Sequence, residues 1–219
     1  MRKKLLRFAV NEGRKNLIEK TKPLYHEIRG RWNELYFKNN NPLVLEIGAG
    51  RGEYTVGLAR EFKDKNFIAV DLKGDRLWHG SGIATEENLT NAAFLRARIE
   101  LIENLFAENE VSEIWVTFPG PRPKKTQANR RLTNQKFLNI YKGLIKPGGI
   151  VHLKTDSNFV FNYTLETLDE RKDIQNLEFT TDLYNSKFLP DHHEIQTRFE
   201  KMFMAKGEKI KYLRFKFNK

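Results

Sequence analysis

The stretch from residue 43 to residue 71 limits the fold more than any other part of the sequence. It runs Leu43-Val44-Leu45-Glu46-Ile47, then Gly48-Ala49-Gly50-Arg51-Gly52, a helical segment from Glu53 to about Phe62, and Phe67-Ile68-Ala69-Val70-Asp71. An apolar run ending on an acid, glycines where the chain must turn tightly, a helix and a second apolar run ending on an acid describe a βαβ unit of an open parallel sheet. As a dinucleotide fingerprint the glycine cluster fails, because G-x-G-x-x-G requires glycine at position 53. Glu53 there sets a carboxylate against a pyrophosphate at a helix N-terminus. A cofactor with a cationic sulfonium and an amino group, and no phosphate, tolerates these acids. Glu46, Gly48 and Gly50 then read as its cradle, and Asp71 as acceptor for both ribose hydroxyls. An ordinary structural turn is the bland alternative.

The alternation continues. Ala93-Phe94-Leu95 precedes a helix near Glu100 to Phe106, and Glu113 to Phe118 precedes a long basic loop, a helix over Gln135 to Ile145 and a strand over Gly149 to Lys154. Parallel connections require right-handed crossovers, so helices cover both faces of a mostly parallel sheet in an α/β fold. Glu178 to Tyr184 and Lys209 to Phe217 alternate apolar and polar residues, as edge or hairpin strands do, with a polar loop between them. Residues 1–38 read as a basic helical N-terminal extension broken at Pro23, and 39–219 as one domain.

With 39 Lys and Arg against 28 Asp and Glu, the net charge is +11. Such a field favours a polyanion, unless the lysines serve solubility alone. The distribution favours the first reading. Phe118-Pro119-Gly120-Pro121-Arg122-Pro123-Lys124-Lys125-Thr126-Gln127-Ala128-Asn129-Arg130-Arg131 contains no acid and leaves the carboxyl end of a strand, where open α/β sheets build their sites. Its prolines hold Lys124, Lys125, Arg130 and Arg131 at the cleft mouth as phosphate contacts. A solvated charged loop is the alternative.

Five stretches carry a resemblance. They are Glu46 to Gly52; Phe118-Pro119-x-Pro121 with Lys124 and Arg130-Arg131-Leu132-Thr133; Leu144-Ile145-Lys146-Pro147-Gly148-Gly149; Lys154-Thr155-Asp156; and Thr197-x-Phe199-Glu200. Through them the chain, from Leu43 onward, resembles the bacterial tRNA (guanine-N(7)-)-methyltransferase family. The resemblance implies a class I methyltransferase (Rossmann-like) fold with a mostly parallel seven-stranded sheet and an antiparallel C-terminal strand. It also implies S-adenosylmethionine as donor, tRNA as partner and a guanine of the variable loop as acceptor. Cofactor contacts then fall on Glu46, Gly48, Gly50, Asp71, Ala97, Thr117 and Gly120, and substrate contacts on Lys124, Asp156, Thr197, Arg198, Phe199 and Glu200. Two positions depart from the family. Aspartate is usual where this chain has Ala97, so adenine recognition rests there on backbone groups or on Arg98. The aspartate given the central catalytic role is Gly120.

N7 of guanine has a free lone pair and no proton, so direct displacement at a sulfonium methyl needs no obligatory general base. Alignment and a carboxylate facing the developing ring charge suffice, and Asp156 or Glu200 is expected to supply that carboxylate in place of Gly120. Two alternatives are a tRNA-binding homologue with impaired catalysis and a methyltransferase acting on another RNA base or a small molecule. No metal is expected, since adjacent His192 and His193 lack helical i, i+4 ligand spacing and His152 reads as packed. Without cysteine, a long apolar run or an export-like N-terminus, the expected location is the cytoplasm, as a monomer or homodimer.

Overall fold

The computed structural model describes residues 2–192 and 194–219; His193, half of the histidine pair above, lies outside them. In chain order the elements are α1 (Arg2–Gly13), β1 (Leu17–Ile18), α2 (Pro23–Glu27), β2 (Leu43–Ile47), α3 (Glu53–Glu61), β3 (Asn66–Asp71), α4 (Gly74–Glu86) and β4 (Ala92–Arg96). There follow β5 (Val111–Thr117), α5 (Gln135–Leu144), β6 (Ile145–Thr155), α6 (Asn158–Asp169), β7 (Ile174–Thr180), α7 (Arg198–Met204) and β8 (Lys211–Phe217). The strands form one sheet in the order β1-β4-β3-β2-β5-β6-β8-β7, parallel except at β8, which runs antiparallel to β6 and β7.

The α/β class and the antiparallel C-terminal strand are as expected, but the sheet has eight strands rather than seven. The extra one is β1, where Leu17 and Ile18 pair with Phe94 and Leu95. The basic N-terminal segment is therefore threaded into the fold. Trp32 is buried, stacks on Phe106 at 5.1 Å and donates from Nε1 to the Leu105 carbonyl. Pro23 does not break a helix but opens α2, where its missing N–H costs nothing. Residues 99–104 form a 3-10 segment instead of an α-helix, and the polar loop before β8 contains α7.

Buried β2, β3 and β4 read as continuous apolar runs because helices cover both faces. β3 follows β2 on one side while β5 lies on the other, so the chain reverses its direction of travel across the sheet at β2. Above the carboxyl end of β2 this reversal opens a crevice. Among the described residues, no helix is long and apolar enough to cross a membrane.

Candidate active site

The crevice is an open cleft of about 1110 Å³. Its floor is the glycine turn. Gly50 adopts φ +57° with open space where a Cβ would project, so a ligand can approach the backbone there. At Gly52, φ is +70° and a Cβ would lie 2.6 Å from the Phe94 ring, so only glycine lets α3 start against the sheet.

Glu46, at the end of β2, is buried but faces the cleft. The Thr55 N–H and hydroxyl donate to its Oε2 at 2.9 and 2.6 Å, and the Thr117 hydroxyl donates to Oε1 at 2.6 Å. Burial nevertheless outweighs these bonds and pushes the carboxyl up to about 7. Asp71, at the end of β3, accepts from the Gly50 N–H at 2.9 Å and the Lys73 N–H at 2.8 Å, which fixes the carboxylate at the cleft wall. Ala97 and Arg98 also line the cleft, the Ala97 N–H donating to the Asp71 carbonyl.

On the other side of β2 the wall is the loop after β5. Phe118 and Arg122 hold left-handed backbone at φ +46° and +44°, on either side of Gly120, which lines the cleft with Pro119 and Pro121. Such conformations are costly for bulky residues and concentrate at functional sites. Arg130 reaches the cleft; Lys124 and Lys125 are exposed further out. Arg131 is not a free cation. Its guanidinium lies over the rings of Phe159 and Tyr163 at 4.8 and 4.4 Å, and donates to the carbonyls of Arg122 and Pro123. These contacts pin the loop to α6, a task beside the phosphate contact expected from the sequence. Arg131→Lys keeps the charge but loses the planar fork. We expect it to cut methylation about as much as Arg131→Ala, with the salt slope of RNA binding unchanged; full activity of the lysine variant would leave the phosphate contact as its only role.

The third wall comes from the C-terminal third of the chain. Asp156, Thr197 and Phe199 line the cleft, as expected. Asp156 is part-buried, and burial raises its pKa with a contribution from nearby Glu208. Phe199 is 49% exposed and stacks on Phe203, which stacks in turn on Phe118. Glu200 is not brought to the cleft. Its side chain is 0% exposed and pairs with the equally buried Lys154 at 2.9 Å, while Tyr184 donates to it at 3.0 Å. With Thr197 it forms a capping box at the start of α7. Glu200 therefore holds α7 in place and does not face the ring, a correction to its expected role. Arg198 is exposed and its backbone N–H donates to Glu53 at 2.7 Å, which gives Glu53 a structural task at the same helix start.

Several site residues went unread in the sequence. Lys154, quoted above only within a shared motif, and Tyr184 form the latch with Glu200, while Phe203 and Glu208 line the cleft. The available signal was the alternation in β6, where His152 and Lys154 share the face opposite Val151 and Leu153. That face carries a buried polar layer: His152 stacks on Trp115 at 3.9 Å and meets the Tyr212 hydroxyl at 2.7 Å. Among the described residues, no three His, Asp or Glu side chains gather as a metal site.

The order of this sheet, with an acidic glycine-floored cleft at its switch point, is that of the class I methyltransferase fold. A model described as putative methyltransferase matches residues 40–213. The chain is 47% identical over 217 residues to the tRNA (guanine-N(7)-)-methyltransferase of Cytophaga hutchinsonii, covering 99% of this chain and 98% of that protein. It is 48% identical to the enzyme of the same name from Christiangramia forsetii, covering 97% of each. The protein belongs to the tRNA (guanine-N(7)-)-methyltransferase family. The fold is also that of an rRNA methylase from Streptococcus thermophilus, at TM-score 0.56 and 10% identity over 92% of this chain and all of that one.

Proposed function

We propose that the protein transfers a methyl group from S-adenosylmethionine to N7 of a guanine in the variable loop of tRNA, in the cytoplasm. The observation that carries this reading is the polarity of the cleft. Glu46 and Asp71 line it at the ends of β2 and β3, and Lys73, Arg76, Arg98, Arg122 and Arg130 line it together with further acids, Glu53, Glu100, Asp156 and Glu208. One cavity thus offers carboxylates to a cationic donor and cations to a polyanionic acceptor.

When bound, S-adenosylmethionine supplies an electrophilic methyl on a sulfonium. Asp71 is placed to accept from ribose hydroxyls while it braces Gly50, and Ala97 leaves room beside Arg98 for the adenine edge. Glu46 fits the amino group, since its near-neutral carboxyl gains most from a cationic neighbour. Phe199 and Phe203 offer ring faces to a base lifted out of its stack, and stacking of this type orients without reading sequence. Asp156 lines the same cleft, and its carboxylate would stabilise positive charge that develops on the purine. No residue need remove a proton.

Incubation with labelled donor and unmodified tRNA should yield 7-methylguanosine from the variable loop; label in another nucleoside would overturn the acceptor assignment. A pH dependence follows as well. Because a cationic ligand favours ionised Glu46, binding below pH 7 must release a proton. Affinity for S-adenosylhomocysteine, which keeps the amino group, should therefore rise from pH 6 to pH 8 and level off. Calorimetry showing no proton release at pH 6.5 would separate Glu46 from the ligand's amine.

A further inference from the structure

The basic N-terminal segment is not accounted for by the cleft. α1 presents two faces. Phe8 and Asn11 turn inward, Phe8 against Gly74 and Asn11 donating to the Gly74 carbonyl at 2.8 Å. Lys3, Leu6 and Val10 follow at spacings of three and four residues and form an outward stripe, with the exposed Lys4 at its edge. Leu5, Leu6 and Val10 are 64, 61 and 46% exposed, more apolar surface than a merely solvated helix presents.

The anchoring sets where this stripe lies. Arg7 stacks over Trp78 at 5.1 Å and reaches the Asp75 carbonyl, so α1 sits against the start of α4. The adjoining Lys73 and Arg76 line the cleft on the β3 side. Arg122 and Arg130 line it on the β5 side, with β2 between them. The cations thus form two rims on opposite sides of the glycine floor, and α1 extends only one of them.

From this juxtaposition we infer that the outward face of α1, continuous with Lys73 and Arg76, is a second tRNA-binding surface. It holds phosphates on the side of the cleft opposite the 122–131 loop. The inference rests on the function proposed above. Charge complementarity selects the occupant: Lys3 and Lys4 are both exposed on α1, where they neutralise adjacent phosphates, while Arg7 holds the helix over Trp78. Leu6 and Val10 pack against the sugars between them. A tRNA gripped on both rims straddles the cleft, which fixes where its variable loop enters.

The test is Lys3→Ala/Lys4→Ala, which leaves the cleft intact and keeps good helix formers in α1. Binding of an unmodified tRNA transcript is measured across a potassium chloride series. The double variant should bind about tenfold more weakly near physiological salt, with the salt slope reduced by about two. Lys3→Arg/Lys4→Arg should retain wild-type binding, and S-adenosylhomocysteine affinity should not change in either variant. Wild-type affinity and slope in the alanine variant, alongside a loss in Lys124→Ala/Lys125→Ala, would overturn the second surface and leave the proposed function standing. Dissociation of a dimer by Leu6→Ser/Val10→Ser without loss of tRNA binding would also overturn it, by assigning the face to a second copy of the chain. Failure of the wild-type protein to bind tRNA would remove the proposed function itself.

Discussion

Gly120→Asp should raise the single-turnover methylation rate roughly tenfold to a thousandfold, the range seen when one preorganised electrostatic group is gained or lost. The position can accept the side chain. Gly120 lines the cleft, its φ lies outside the left-handed region, and a Cβ there meets nothing within 4 Å. The neighbouring left-handed Phe118 and Arg122 hold the loop in shape whichever residue stands between the prolines. A carboxylate at 120 would face the ring as it becomes cationic, an interaction absent from the ground state, so the rate should change far more than tRNA affinity. With Glu200 withdrawn into the α7 latch, Asp156 and the neighbouring Glu208 are carboxylates at this end of the cleft, and Asp156 is the one in the motif shared with the family. Asp156→Asn should therefore be severe in the native background and mild beside Gly120→Asp. Additive effects in that double-mutant cycle would show that the two positions do not share a task.

The second large effect concerns stability. Lys154 and Glu200 are both fully buried, and burial lowers Lys154 to about 8 even with its partner present. Glu200→Gln removes the partner and leaves an ammonium group in the interior, which costs about 3–5 kcal/mol in comparable pairs. Glutamine can still close the capping box of α7 and accept from the Tyr184 hydroxyl, so the loss reports the ion pair itself. Denaturant unfolding should report that loss, and cofactor affinity should fall with it because Thr197, Phe199 and Phe203 line the cleft. Lys154→Met/Glu200→Leu should recover much of the stability, since an apolar pair leaves no buried charge. A loss below 1 kcal/mol in the single variant would mean that α7 is held by other contacts.

The parts of this architecture readable in the sequence are those with a local cause. Apolar runs ending in Glu46 and Asp71, and glycines at positions of positive φ, announce the βαβ unit and the cleft floor because each follows from backbone geometry within a few residues. The acid-free loop likewise declares its charge. What was not readable depends on distant partners. Leu17 and Ile18 are two residues long, and only Phe94 and Leu95 make them a strand. α6 begins at the Ser157 cap and buries one face, but two of its five buried residues are threonines, Thr164 and Thr167, which weakens the apolar period, and α7 is a seven-residue helix whose start depends on Glu200 and Glu53. The structural partners of Arg131 and Glu200 were hidden for the same reason. A charged residue in a motif looks functional until the rings of Phe159 and Tyr163, or the ammonium of Lys154, are seen to occupy it.

The most direct measurement uses tRNA in which the variable-loop guanine is replaced by 7-deazaguanine. This base keeps the ring faces and the Watson–Crick edge but has carbon in place of the N7 lone pair. Binding affinity should match that of unmodified tRNA, while methyl incorporation at that position should fall to background. Incorporation at the same rate into the deaza substrate would contradict the account, because the methyl group would then be going to another atom.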